Sequence, residues 1–399
     1  MNYATATFQT TPQPAARPQP TVSKENSFHK PVLKVLGLGG GGSNAVNRMI
    51  ELGLHGMEFI VANTDRQALK TSLAPKKIQL GPRLTRGLGA GGNPSVGQSA
   101  AEESLCELAN ALHGADMVFL TAGMGGGSGT GSIPVAAKIS RALGAVTIAI
   151  VTTPFSFERG LRQRNANEGL AKLSPHTDTL IAIPNDRLIQ LAPRTLPLDL
   201  AFRMADDVLR QAVQGISEVI TETGLINVDF AHIRHVMGLG GGALMCIGHG
   251  EGENKAIKAV AQALHHPLMG EVSLENARGI LANFTASDDL SLFEVQEALA
   301  NLQQQAGNQA EIVMGMTHDE RMQDRAQVIL IATGLGAPTL EQTLPGFQVR
   351  PQEIESTQPI TPPLPCDTPA ILLPQTSPAG IGSLDIPAFL RKPRPVSRL

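Results

Sequence analysis

The chain has 399 residues, of which 42% are apolar and 17% charged, with a formal net charge of −3. This length suggests about two or three domains with sizeable cores, and the near-neutral charge excludes a basic nucleic-acid-coating protein and a strongly acidic disordered chain. Twelve Phe, one Tyr and no Trp exclude a surface that stacks exposed bases or sugar rings.

Three scattered cysteines, Cys106, Cys246 and Cys366, give neither a paired disulfide framework nor a CxxC metal spacing, and fit a reducing cytosol. In chain order, residues 1–30 are rich in Thr, Gln and Pro, have no apolar signal core, and read as a disordered N-terminal tail. Apolar β-rich runs follow at Val32–Leu36, Glu58–Ala62, Met117–Thr121, Ala145–Val151 and Thr179–Ile183. They alternate with segments of helical spacing, which predicts an α/β domain over 31–201 with a parallel sheet covered on both faces. The longest strongly apolar run, Leu143–Val151, is far short of the roughly 20 residues that span a bilayer.

Residues 202–223 read as one long central helix. Val208, Leu209, Ala212, Val213, Ile216, Val219 and Ile220 form a single apolar face, and Gly224 ends it. A second, smaller α/β domain is expected over 224–336, from apolar runs at Ala243–Gly248, Gly279–Phe284, Glu311–Met316 and Val328–Ala332. Ten prolines between Pro338 and Pro378 make 337–383 a disordered, semi-extended linker. It leads to a short peptide and basic tail at 384–399.

Three glycine-rich loops carry the chemistry. Gly37-Leu-Gly-Gly-Gly-Gly-Ser-Asn44 follows the first strand and leads into a helical run over Ala45–Leu52, with Asp65 placed 23 residues after Gly42. Alone, it fits a dinucleotide-binding fingerprint. Gly87-Leu-Gly-Ala-Gly-Gly-Asn93 is the second loop, and Gly123-Met-Gly-Gly-Gly-Ser-Gly-Thr-Gly131 the third, ahead of a helix expected near Ile133. Glycines let backbone N–H groups close on phosphate oxygens, helix N-termini add their dipoles, and Ser128 and Thr130 can donate hydroxyls. Three such loops on one sheet edge suit a triphosphate better than a single pyrophosphate. No GxxxxGK[ST] occurs and no lysine sits in the loops, so backbone dipoles and Mg²⁺ must offset the phosphate charge.

The run Gly125-Gly-Gly-Ser-Gly-Thr-Gly131 resembles the GGGTGTG signature of the tubulin and FtsZ family. The likeness extends over Ala62-Asn-Thr-Asp65, Gly87-Leu-Gly-Ala90, Pro154-Phe-Ser-Phe-Glu158, Ile183-Pro-Asn-Asp186 and Asn227-Val-Asp-Phe-Ala231. It implies a GTP-binding domain, a central helix and a second domain, assembled head to tail with GTP or GDP held between subunits. By motif position, Gly39, Gly40, Gly41, Gly42, Asn44, Gly91, Gly125, Gly126, Gly127, Ser128, Gly129, Thr130 and Gly131 surround the nucleotide. Glu158 and Arg162 meet its sugar and phosphate region; Asn185, Phe202 and Asp207 hold the guanine. A carboxylate can accept from both guanine N1–H and N2–H₂, which adenine cannot offer in that arrangement.

Asn227 is the expected N-cap of the next helix, with Asp229 in its first turn. An Asp there complements the helix dipole on its own account. The resemblance implies more: this segment reaches the γ-phosphate of the neighbouring subunit, where Asp229 polarises the attacking water. FtsZ proteins usually carry a second Asp where His232 stands. A neutral imidazole can take a proton from water but supplies no fixed negative charge. His232 is thus the weaker catalytic candidate, and GTP hydrolysis is expected to be slower while binding and polymerisation survive. Asp229, His232 and His235 lack a fourth ligand, so no metal set is assigned to them. His265 and His266 read as cations suited to a helix C-terminus.

At the far end, Ile386, Phe389 and Leu390 recur at helical spacing, with Asp385 as cap and Pro387 in the first turn, backed by Arg391 and Lys392. This pattern suits a short amphipathic helix in a partner's groove, and the resemblance implies membrane tethers such as FtsA and other division-regulating proteins. It places the chain in the cytoplasm, at the mid-cell division ring. Two other classes compete: an NAD-dependent oxidoreductase built on Gly37–Gly42, and a GTP-binding filament protein with much reduced hydrolysis.

Overall fold

The computed structural model describes residues 30–335, apart from 159, 191, 194, 222–227, 270–271 and 308–309. The N-terminal strands are β1 (Leu33–Leu38), β2 (Glu58–Asn63), β3 (Lys76–Gln79), β4 (Met117–Gly123), β5 (Val146–Thr153) and β6 (Thr179–Pro184). All pair parallel in the order β3-β2-β1-β4-β5-β6. Helices α1 (Gly39–Glu51), α2 (Arg66–Thr71), α3 (Pro94–Glu103), α4 (Leu105–Leu112), α5 (Ser128–Ala142), α6 (Leu161–Leu173) and α7 (Asn185–Ile189) connect them. The strands are buried at nearly every position because both faces are covered. Alternate residues therefore feed two cores: Val35, Phe119 and Ile148 pack towards α1, while Leu36, Leu120 and Ala149 pack towards α4, α5 and α6.

The long helix α8 (Leu198–Thr221) crosses behind this sheet, and α9 (Phe230–Gly238) follows. The second half contains β7 (Gly242–Glu251), α10 (Lys255–Leu264), β8 (Gly279–Ala286), α11 (Leu292–Ala306), β9 (Glu311–His318) and β10 (Arg325–Thr333). Here β10 lies antiparallel between β7 and β8, and β9 runs parallel to β8 at the edge. Leu209, Val213 and Ile216 of α8 share one core with Ile148 of the first half and Val313 and Ile329 of the second.

Several boundaries differ from the sequence expectation for physical reasons. Helix α1 begins at Gly39 rather than Ala45, and α5 at Ser128 rather than near Ile133, so the glycine runs are largely first turns of helices. Close packing tolerates this. A Cβ on Gly131 would stand 2.0 Å from the Pro94 carbonyl oxygen, so α3 and α5 meet at their backbones. Helix α8 starts one turn early, at Leu198. The short edge strand β3 carries two lysines and a glutamine, and gave no apolar run to find. The two halves are joined through the sheet: Leu180 and Ile181 of β6 pair with Gly242 and Ala243 of β7, making one ten-stranded sheet among the described residues.

Candidate functional site

Parallel strands deliver their loops to a single edge, where helix N-termini point outward. Gly39 follows the last residue of β1, Gly123 ends β4, and Asn185 follows the last residue of β6. The 87–93 loop is fixed beside them: Arg66 N–H donates to the Gly87 carbonyl at 3.1 Å and Gly89 N–H to that of Thr64 at 3.3 Å.

The glycines here divide by what surrounds them. A Cβ on Gly39, Gly42, Gly127 or Gly129 would collide with backbone atoms at 2.9 Å or less, so these positions serve close packing. A Cβ on Gly40, Gly91 or Gly126 would meet nothing within 4 Å, and a Cβ on Gly41 only the Gly123 backbone at 3.0–3.1 Å. Gly39 abuts Gly129 and Gly127 abuts Asn93, so the three loops meet, with exposed Asn44 in the first turns of α1. Ser128 and Thr64 share a hydroxyl hydrogen bond beside them. Thr130 is turned inward and accepts from Gly125 N–H at 2.8 Å, so its hydroxyl shapes the loop. Buried Asn165 of α6 donates to the carbonyls of both Gly92 and Gly125.

Glu158 and Arg162 form an ion pair at the rim, with the arginine more exposed. The Glu158 carboxylate also accepts from Phe155 N–H at 3.2 Å. Next to them lies an aromatic group: Phe155 stacks on Phe157 at 5.2 Å and meets Phe202 edge-on at 5.4 Å. Phe202 stays 40% exposed. Asn185 is buried, and its Oδ1 has no hydrogen-bond partner. An orphaned buried acceptor costs about 1–3 kcal/mol and marks where an external donor would bind.

The two neighbouring aspartates of α8 differ. Asp207 accepts from Arg210 Nε at 2.8 Å and Gln211 Nε2 at 2.6 Å. Burial works to raise its pKa, but the hydrogen bonds and charge of Arg210, with Gln211 and Arg48 adding, hold it below the ordinary carboxylate value. Asp206 has no such partners. Burial pushes its carboxyl up to about 7, against the opposing pull of Arg48. One helical turn after Phe202, it shares that residue's face, a relation already present in the i, i+4 spacing.

Asp65 does not reach towards a ribose; its Oδ1 caps α2 through Gln67 and Ala68 N–H. Expected cap Asn227 and helix terminator Gly224 lie outside the described residues. Asp229 itself caps α9, accepting from Ala231 N–H at 3.2 Å, and both it and His232 are exposed. His235 faces Glu311 at 3.5 Å. His266 departs from the cationic expectation, since burial lowers its pKa, whereas His265 places Nδ1 2.7 Å from the Ala261 carbonyl.

Asp229 is remote from the glycine edge. Helix α8 runs about 30 Å from Phe202 to Thr221 at 1.5 Å per residue. A Cβ on Gly56, just before β2, would touch Thr221 at 3.2 Å, which puts that helix end at the opposite edge of the sheet. Thr179, the first residue of β6, donates its hydroxyl to the Met237 carbonyl, so α9, which Asp229 caps, lies on that edge too. Residues 385–392 lie outside the described residues.

A family model described as the Tubulin/FtsZ family, GTPase domain, matches residues 32–193. One described as the FtsZ family, C-terminal domain, matches residues 241–336. Among solved structures, an empty FtsZ dimer from M. jannaschii is 46% identical with TM-score 0.74, over 77% of this chain and 89% of that one. A point variant of FtsZ from M. jannaschii is 45% identical with TM-score 0.73, over 76% and 91%. A GDP-bound CetZ1 monomer from Haloferax volcanii shares the fold at 19% identity and TM-score 0.66, over 78% and 97%.

Proposed function

The chain belongs to the tubulin/FtsZ family of GTPases, and from this premise we propose that it is a GTP-dependent self-assembling cytoskeletal protein. Its protofilaments grow head to tail into the cytokinetic ring at the division site. Hydrolysis of GTP to GDP and phosphate takes place at the interface between subunits.

The carrying observation is the placement of Asp229 at the sheet edge opposite the glycine cradle. One molecule cannot bring both to the same phosphate, but a second copy stacked in the same orientation can. There, the exposed Asp229 carboxylate would polarise the water that attacks the γ-phosphate, and His232 would be a weaker proton acceptor beside it. The M. jannaschii relative is an FtsZ dimer, which supports self-association.

Guanine would lie against the exposed Phe202 and donate to the orphaned Asn185 Oδ1. We assign the base-reading carboxylate to Asp206 ahead of Asp207, because the Asp207 oxygens are already occupied by Arg210 and Gln211. Glu158 and Arg162 suit the sugar and its phosphates. Among the described residues no three or more His, Cys, Asp or Glu side chains gather for a metal. Mg²⁺ would therefore ride on the phosphate oxygens and offset their charge. Tethering to FtsA-like partners through 385–392, and residence in the cytoplasm at mid-cell, complete the proposal. No helix among the described residues is long and apolar enough to cross a membrane.

The test is phosphate release across protein concentration. An interface-built site gives a threshold followed by a linear rise. Equal turnover per molecule in dilute monomer would refute the shared site.

A further inference from the structure

Asn165 lies on α6, three residues after Arg162, and is only 6% exposed. Its Nδ2 donates to the Gly92 carbonyl at 3.1 Å and to the Gly125 carbonyl at 3.2 Å. One amide thus joins two glycine loops that lie 73 and 40 residues away in sequence.

The consequence follows from peptide geometry. In a planar trans peptide the C=O and the next N–H point in opposite directions. Drawing the Gly125 carbonyl onto Asn165 aims the Gly126 N–H away from Asn165, and a Cβ on Gly126 would itself meet nothing within 4 Å. Gly125 is itself held from both sides. Its own N–H is held by Thr130 Oγ1 at 2.8 Å, and at φ +103° it sits against Pro154 and Arg162, where a Cβ would meet atoms at 2.8–2.9 Å. In the other loop, Gly91 (φ +58°) and Gly92 (φ +74°) form a tight turn closed by Asn93 N–H to the Ala90 carbonyl at 3.0 Å. Asn165 holds the Gly92 carbonyl of that turn, leaving Gly91 exposed to open space.

We propose that Asn165 is a positioning residue for the polyphosphate: from behind, it sets the gap between the Gly91 and Gly126 backbones so that both loops close on one phosphate chain. It touches no ligand and acts through the two carbonyls it holds. The inference rests on the GTP-binding reading above and adds a residue that reading does not need. It makes phosphate-chain length, and not the base, the property Asn165 controls.

Asn165→Asp keeps the shape, replaces the donating amide with an acceptor-only carboxylate and adds a negative charge; Asn165→Ser is neutral with one hydroxyl donor, so only a GTP-selective loss shared by both variants counts as loss of the two hydrogen bonds. Affinities of the full-length chain for GMP, GDP and GTP are measured by titration, with melting of the ligand-free protein as the folding control. Asn165→Asp is expected to lose about tenfold in GTP affinity while GMP affinity changes by less than about twofold, with Asn165→Ser in between. Equal losses for all three nucleotides, or none, would overturn the proposal. Asn165→Ser carries the same comparison if the aspartate variant does not fold. A wild-type chain that binds GTP no better than GMP removes the GTP-binding reading, and this inference with it. A wild-type preference left intact in the variants removes this inference alone.

Discussion

Asp206 and Asp207 are adjacent in sequence, yet their environments give them different chemistry. Asp207 is held ionised by Arg210, whereas burial raises Asp206 to about 7. If Asp206 reads guanine as proposed, it must do so in the ionised form. As pH falls below about 7, GTP binding must displace a proton, and affinity should drop by up to about tenfold per pH unit. The sign for folding is the reverse: a carboxyl raised in the folded state favours folding most when protonated, and that contribution fades as pH rises through about 7. Asp206→Ala should abolish the pH slope of GTP binding and narrow the preference for GTP over ITP, which lacks the 2-amino group, by about tenfold. Asp207→Ala should leave that preference in place; calorimetry of the two variants separates them, and the opposite pattern would return the role to Asp207. His232→Asp restores a second carboxylate beside Asp229 and should raise phosphate release per assembled subunit; an unchanged or lower rate would reject the idea that His232 slows turnover.

At the scale of elements, the two glycine-rich first turns combine packing and binding in one stretch of chain. Gly131 is where α5 meets the α3 backbone, with Pro94 O and Gln98 N both inside 3 Å of a would-be Cβ. Gly131→Ala should therefore destabilise the fold by about 1–3 kcal/mol or more. Gly126 faces open space, so Gly126→Ala should leave stability within about 0.5 kcal/mol but weaken GTP binding by filling the cradle. Thermal melts alongside nucleotide titration check both, and a Gly131→Ala protein as stable as wild type would show that α3 and α5 can separate at little cost.

Across the whole molecule, α8 fixes the distance between the nucleotide edge and the Asp229 edge and shares one core with both halves of the sheet. On the proposed shared site, a rigid spacer of this kind would make catalysis a property of the stack. The tail is a separate matter. Deleting 385–392 should abolish tether binding in a pull-down while GTP-dependent sedimentation stays intact; loss of both together would contradict this division of labour.

The signature Gly125–Gly131, the parallel strands and the long apolar face of α8 were all legible in the sequence, because each follows from local rules of residue size and periodicity. Asn165 was invisible there, since its partners stand far away along the chain and only the fold brings them together. The choice between Asp206 and Asp207 was equally closed to sequence reasoning. Successive helical residues point about 100° apart, and which direction meets the pocket depends on the neighbours α8 acquires. Local pattern therefore determined most of the elements and the family signature, but not the polar edge strand β3 or the helix starts. Tertiary packing alone decided which backbone groups face open space, which carboxylate stays unoccupied and how far Asp229 lies from the cradle, because each of these is a distance between segments that the linear chain does not specify.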